Sequence, residues 1–212
     1  MTKSHWESWH DPYRDKDSYL SHRLETVKRR LKESIGQFEV PVKVLSLCAG
    51  QGHDVIQTLR ENPSLNISKA LLVELDPKNV SIGEGEIRLS GLENVSYLEG
   101  DAANMALYSD FVPVEILMLC GIFGNITLED IRKTLAASSS FLTLGGTLIW
   151  TRHRRKPDVT PKIRNWCEEF GYQEVAFDAP DKDDFSVGTY QLEKAPLPFV
   201  SDGKLFQFIT SN

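Results

Sequence analysis

The chain has 212 residues, 41% of them hydrophobic and 25% charged, with a net charge of −6. This suits one globular domain around one full core. No apolar run approaches the roughly 18 to 20 residues that cross a bilayer, and the polar opening lacks the apolar centre of a signal peptide, so the reading is a cytoplasmic protein without membrane contact. The acidic total argues against nucleic acid as a partner, because nonspecific affinity for phosphate backbones rests on many Lys and Arg contacts. Three cysteines (Cys48, Cys120, Cys167) without C-x-x-C spacing read as free thiols and indicate no metal site.

Residues 1 to about 16 are aromatic and polar (Trp6, Trp9, His10, Tyr13) without a steady period. A helix is predicted from Ser18 to Ile35, with Leu20, Leu24, Val27, Leu31 and Ile35 on one face and Arg23, Lys28, Arg29, Arg30 and Lys32 on the other, which reads as a solvated charged face. From Val42 onward strands and helices alternate. Strand runs cover 42–48, 69–75, 95–99, 114–120 and 146–151, and helical patterns cover 53–61, 77–90, 127–140 and 161–170. Such alternation implies right-handed crossovers and a parallel sheet covered on both faces. Asp76-Pro77 and Thr160-Pro161 each read as a capping side chain before a proline at the first helical position, and Thr127 with Asp130 approximates a capping box. Gly83 and Gly85 weaken the helix at 77–90 by about 1 kcal/mol each against alanine. After Gly171, runs at 172–178 and 185–192 flank the acidic PDKDD turn and predict an antiparallel hairpin. A last strand-like run at 205–209 would pair at an edge or pack over the site. The expected fold is therefore α/β, a doubly wound, mostly parallel seven-stranded sheet ending in an antiparallel hairpin. Three segments follow: an N-terminal lid and helix (1–40), the sheet domain (41–194) and a C-terminal tail on the same domain (195–212).

Open parallel sheets bind ligands beyond the carboxyl ends of their strands. The first strand breaks into Ala49-Gly50-Gln51-Gly52, where glycine permits positive φ and close approach of a ligand to the backbone, and a new helix points unpaired N–H groups at an anion. The second strand ends at Glu74-Leu75-Asp76, where an acid 22 residues after Gly52 suits the hydroxyls of a ribose. Asp76, followed by proline, reads rather as a helix cap. The third strand ends at Asp101-Ala102, where a carboxylate and an N–H suit an adenine edge or, equally, another cap. The fourth ends in Cys120-Gly121-Ile122-Phe123-Gly124-Asn125, either a glycine-flanked loop bordering a reacting centre or a buried cysteine and a packed phenylalanine. The fifth runs into Thr151-Arg152-His153-Arg154-Arg155-Lys156, a cationic stretch that is either a solvated loop or an anion clamp.

Together the turn, the two acids and the closing hairpin resemble the class I S-adenosylmethionine-dependent methyltransferases, and the wording GQGHD, VELDP, EGDAAN, CGIFGN and TRHRR is similar to a bacterial branch of small methyltransferases. The resemblance covers about residues 42–192. It implies that S-adenosylmethionine is the cofactor, with Gly50 and Gly52 along its methionine part, Glu74 on the ribose, Asp101 and Ala102 on the adenine, and Ala49, Gln51, Leu75, Cys120 and Gly121 lining the site. The chain departs from the family where an acidic residue stands two places before the first glycine, since Ser46 and Cys48 are found there instead. Asp54 is the candidate to hold the cofactor's ammonium group. The implied reaction is transfer of a methyl group to an oxygen or nitrogen of a small molecule, with an anionic acceptor as one option. His153 is the first candidate base and His10 the second, under an N-terminal lid. Tyr13, Phe123, Asn125, Arg152 and Arg154 would meet the acceptor, with Arg155 helping to clamp an anion. Alternatives are an RNA or peptide methyltransferase, a non-catalytic binder of the same cofactor, and a nicotinamide-dependent oxidoreductase, which Val55 disfavours at the place of the third fingerprint glycine.

Overall fold

Strand runs rich in β-branched and aliphatic residues, punctuated by Gly, Pro and capping side chains, give the following elements. They are α1 (Tyr19–Ile35), β1 (Val42–Leu47), α2 (His53–Glu61), β2 (Ile67–Glu74), α3 (Pro77–Ser90), β3 (Val95–Glu99), β4 (Val114–Leu119), α4 (Leu128–Ser138), β5 (Leu142–His153), α5 (Thr160–Glu169), β6 (Tyr172–Asp178) and β7 (Phe185–Leu192). They come from a computed structural model, which describes residues 18–209. The strands form one seven-stranded sheet in the order β3-β2-β1-β4-β5-β7-β6. β1 to β5 run parallel, and β7 is antiparallel to both β5 and β6. The doubly wound sheet and its closing hairpin are thus as the sequence predicts. The expectations for His10, Tyr13 and an N-terminal lid lie outside the described residues.

Because side chains alternate across a strand, β1 feeds two cores. Leu45 and Leu47 join Leu117, Leu119 and Trp150 beneath Ile131 and Leu135 of α4 and Ile163 of α5. Val42 and Val44 face the other way, with Ile116 and Met118, toward Val27 and Leu31 of α1 and Val55 and Ile56 of α2. The strand order reverses between β1 and β4. That switch point leaves a crevice beyond their carboxyl ends.

Several local expectations are corrected. β1 stops at Leu47 because Cys48 has φ of 54° and leaves the strand. β5 is longer than predicted, starting at Leu142, and it passes Gly145 at φ 78° beside a register shift against β4. Thr160 does not cap α5; instead it is the first helical residue, and Asp158 accepts from both its N–H and its hydroxyl. The run 205–209 forms no strand. It crosses the carboxyl-end side of the sheet on isolated bridges, Asn104 with Lys204 and Ile126 with Phe208, while Leu205 and Phe206 are buried in the core. The basic face of α1 is only partly left to solvent: Arg29 and Lys32 are exposed, but Lys28, Arg29 and Arg30 are engaged. Lys28 is 8% exposed and donates to Glu25, Gln57 and Glu61, and Arg29 and Arg30 both bond Asp178 at the end of β6.

The two glycines of α3 differ in kind. A Cβ on Gly83 would lie 2.2 Å from the Tyr97 hydroxyl, whereas one on Gly85 would meet nothing nearer than 4.0 Å. Gly83→Ala is therefore expected to lose about 1–3 kcal/mol through overpacking, while Gly85→Ala gains about 1 kcal/mol of helix stability. Thermal melts of the two variants should move in opposite directions.

Candidate functional site

The turn after β1 has positive φ at Cys48 (54°), Gly50 (56°) and Gly52 (67°). A non-glycine residue held there costs on the order of 1–3 kcal/mol and marks a segment fixed by its surroundings. Those surroundings are specific. The Ala49 N–H donates to the Val73 carbonyl at 3.0 Å, the Gly50 N–H to Glu74 Oε2 at 2.8 Å, and the Tyr97 hydroxyl to the Gly50 carbonyl at 3.1 Å. Burial, then Asp54 and Glu74, pushes the Tyr97 hydroxyl's pKa up, so it stays a donor. A Cβ on Gly52 would strike that hydroxyl at 2.5 Å and Leu72 at 2.6 Å. Gly52 therefore admits the tyrosine, which in turn braces Gly50.

The two acids after β2 divide their work as their neighbours dictate. Asp76 accepts from the Lys78 N–H at 2.9 Å and caps α3. Glu74 is half-buried, and its Oε1 accepts from the Asp76 N–H at 2.9 Å, so each carboxylate oxygen is held by one backbone amide. Leu75 beside it is 63% exposed at the crevice rim, and Gln51 donates to Asn79 on α3 at 3.3 Å. After β3, Asp101 Oδ1 accepts from the Ala103 N–H at 3.0 Å and Oδ2 pairs with Lys204 at 3.1 Å. Ala102 is buried, and its carbonyl accepts from the Tyr108 hydroxyl. Asp54, in the first turn of α2, accepts from the Val55 N–H at 2.8 Å; burial raises its pKa, against the pull of Arg23.

Beyond β4 and β5 lies a cleft of about 210 Å³ lined by Tyr19, Arg23, Gly121, Gly124, Asn125, Thr151, Arg152, His153, Arg155 and Phe185. The Gly121 N–H donates to Thr151 Oγ1 and the Asn125 amide to the Gly121 carbonyl, each at 2.8 Å, so the loop after β4 is pinned to the end of β5. His153 and Arg152 both have buried nitrogens, Nδ1 and Nε, without a hydrogen-bond partner among the described residues. Burial, with Arg152 and Arg155 beside it, holds the His153 imidazole below its ordinary pKa, against Asp158 and Asp184. Cys120 sits at the edge of this region, and burial, with Asp54 near it, pushes its thiol's pKa up.

The structure therefore brings Asn125, Arg152 and His153 to one cleft, and Glu74, Gly50 and the Asp101 loop to the adjoining strand ends. Two side chains expected to meet the acceptor have partners elsewhere. The Phe123 ring is fully buried with its centroid 5.9 Å from that of Trp150, so only its backbone serves the site, by accepting from Arg152 Nη1. Arg154 donates to the Ala179 and Pro180 carbonyls at 3.0 and 3.3 Å and so secures the β6–β7 turn. Tyr19, Arg23, Thr151 and Phe185 were not singled out for this site from sequence. Tyr19 and Arg23 lie one helical turn apart on α1, a spacing that could have grouped them once α1 was known to pack along β5 and β7.

A family model described as "Putative methyltransferase" matches residues 13–165. No curated protein sequence matches the chain. Among solved structures, the chain is similar to the Burkholderia thailandensis 1,6-didemethyltoxoflavin-N1-methyltransferase with bound 1,6-didemethyltoxoflavin and S-adenosylhomocysteine. That match has a TM-score of 0.67 and 14% identity, and it covers 90% of this chain and 85% of the other. It is also similar to an O-methyltransferase family protein from Burkholderia thailandensis at TM-score 0.60 and 14% identity, over 87% of this chain but only 61% of that one. The ribosomal protein L11 methylase of Lactobacillus delbrueckii subsp. bulgaricus matches at TM-score 0.59 and 15% identity, over 82% and 80% of the two chains. Among the described residues no helix is long and apolar enough to cross a membrane.

Proposed function

The chain belongs to the methyltransferase family whose model spans residues 13–165, and from that premise we propose that it methylates an oxygen or nitrogen atom of a small molecule that carries a negatively charged group. The cofactor is S-adenosylmethionine, which when bound supplies an electrophilic methyl group on a sulfonium sulfur. The residues present fit it. Each Glu74 oxygen accepts one amide N–H and has a further lone pair for a ribose hydroxyl. Asp101 with the Ala102 backbone serves the adenine. Gly50 and Gly52 let the methionine part approach, Leu75, Cys120 and Gly121 border it, and Asp54 answers its ammonium group in place of the acid that Ser46 and Cys48 lack.

The acceptor lies in the cleft past Gly121, where the chain's task is alignment and exclusion of water. Positioning alone supplies several kcal/mol. Asn125 orients the acceptor and His153 removes its proton. The observation that carries the reading is Glu74, an acid at the end of β2 whose carboxylate is fixed against the Gly50 turn. Calorimetry with S-adenosylhomocysteine, the ligand found in the toxoflavin N1-methyltransferase, tests it. Saturable binding is expected, and binding of NADH in its place would overturn it. Incubating the chain with methyl-labelled cofactor and size-fractionated cell extract is expected to label the small-molecule fraction. Label in RNA or protein instead would overturn the acceptor class.

A further inference from the structure

Resting on that methyltransferase reading, we propose that Arg152 is the anchor for the acceptor's charge, using the Nε–Nη2 edge of its guanidinium to hold an oxyanion, carboxylate or phosphate, in two parallel hydrogen bonds. The fork is half satisfied by the protein itself. Nη1 donates to the Phe123 carbonyl, which fixes the plane of the group, while Nε is buried with no hydrogen-bond partner among the described residues. A buried donor left unmade is costly, and a buried charge without a countercharge more so. Burial lowers the pKa of Arg152, and the carboxylate that opposes this, Asp158, stands 3.9 Å from Arg154 Nε. An oxyanion from outside supplies both the acceptor and the countercharge.

The rest of the cleft agrees in sign. Among the described residues its lining carries Arg152, Arg155 and a histidine but no Asp or Glu, in a chain whose net charge is −6. Planar guanidinium forks suit carboxylate and phosphate in a way that a lysine ammonium does not. The cleft is below the roughly 300–1,000 Å³ of drug-sized ligand sites, and Tyr19 and Phe185 add aromatic walls, so a compact aromatic acid or phosphate ester is the natural shape. Gly124 borders the same corner: a Cβ there would lie in ordinary contact, 3.6 Å from His153 Cδ2 and 3.7 Å from Arg152 Nη1, the nitrogen that Phe123 holds.

The test is calorimetry on the full chain saturated with S-adenosylhomocysteine, titrated with benzoate, phenyl phosphate and neutral benzamide. At least one anion is expected to bind ten-fold or more tightly than the amide, and the stronger of the two tells carboxylate from phosphate. Arg152→Lys should lose at least ten-fold for that anion although the charge is kept, with affinity for S-adenosylhomocysteine unchanged. A thermal midpoint of Arg152→Lys equal to the parent's, alongside that loss of the anion, separates anchoring from a merely structural role. Equal binding of all three probes, or an Arg152→Lys variant that holds the anion like the parent, would overturn the proposal. Absence of S-adenosylhomocysteine binding would instead overturn the methyltransferase reading beneath it.

Discussion

Replacing Glu74 with alanine is expected to weaken S-adenosylhomocysteine binding by about 100-fold or more. Hydrogen bonds to a charged group are worth about 1.5–3 kcal/mol each, and two ribose hydroxyls make two of them, so the direct loss reaches at least two decades. The indirect loss adds to it. Glu74 also accepts from the Gly50 and Asp76 N–H groups, and without it the turn at Cys48–Gly52, with its three positive φ angles, loses a strut. Glu74→Gln separates the two contributions. An amide keeps the shape but turns an NH₂ toward one of the backbone donors, so the turn is strained while one ribose contact survives. Calorimetry should rank the parent above Gln and Gln above Ala, with Tyr97→Phe, which removes only the brace on Gly50, losing less than either Glu74 variant. An alanine variant with the parent's affinity would remove Glu74 from the cofactor site.

The turn after β1 and the acids ending β2 were legible because their chemistry is local. Glycines after a strand, an acid at the next strand end and a proline behind Asp76 each state their role within a few residues, and the structure has Asp76 capping α3 with Glu74 turned to the first turn. At the acceptor end the deciding contacts are distant in sequence. Nothing near Arg154 reveals that its guanidinium will be spent on carbonyls at Ala179 and Pro180, nor anything near Arg152 that the Phe123 carbonyl will hold it. Phe123 stayed open for the same reason: a phenylalanine between glycines reads as loop or core alike, and only the packing of β5 buries it against Trp150. The charges of α1 were read as solvated since their partners, Asp178 and Glu61, belong to elements that meet α1 only after folding. The tail at 205–209 has strand-like residues, yet Leu205 and Phe206 are drawn into the core, which breaks the alternation a strand would need.

His153→Ala is expected to lower kcat by about 10²–10⁴, the usual contribution of a positioned general base, with little change in cofactor affinity. Its pH behaviour follows from the sign of its shift. Burial first, then Arg152 and Arg155, moves the imidazole below its ordinary value of about 6.5. The ring is thus neutral through the physiological range, and a neutral imidazole has one nitrogen that can accept a proton. Activity should be level above neutrality and fall as the pH drops through a value below about 6.5. The acceptor's KM should not share that fall. A protonated His153 adds a positive charge to a cleft already lined by three arginines, which favours an anionic acceptor, so acidification should depress kcat while KM holds or improves. In the alanine variant both effects vanish together, leaving a low and flat kcat. An acid limb that survives in His153→Ala would assign the proton to another group, and a parent profile without any acid limb would mean that the acceptor arrives already ionised and that the histidine serves only to orient it.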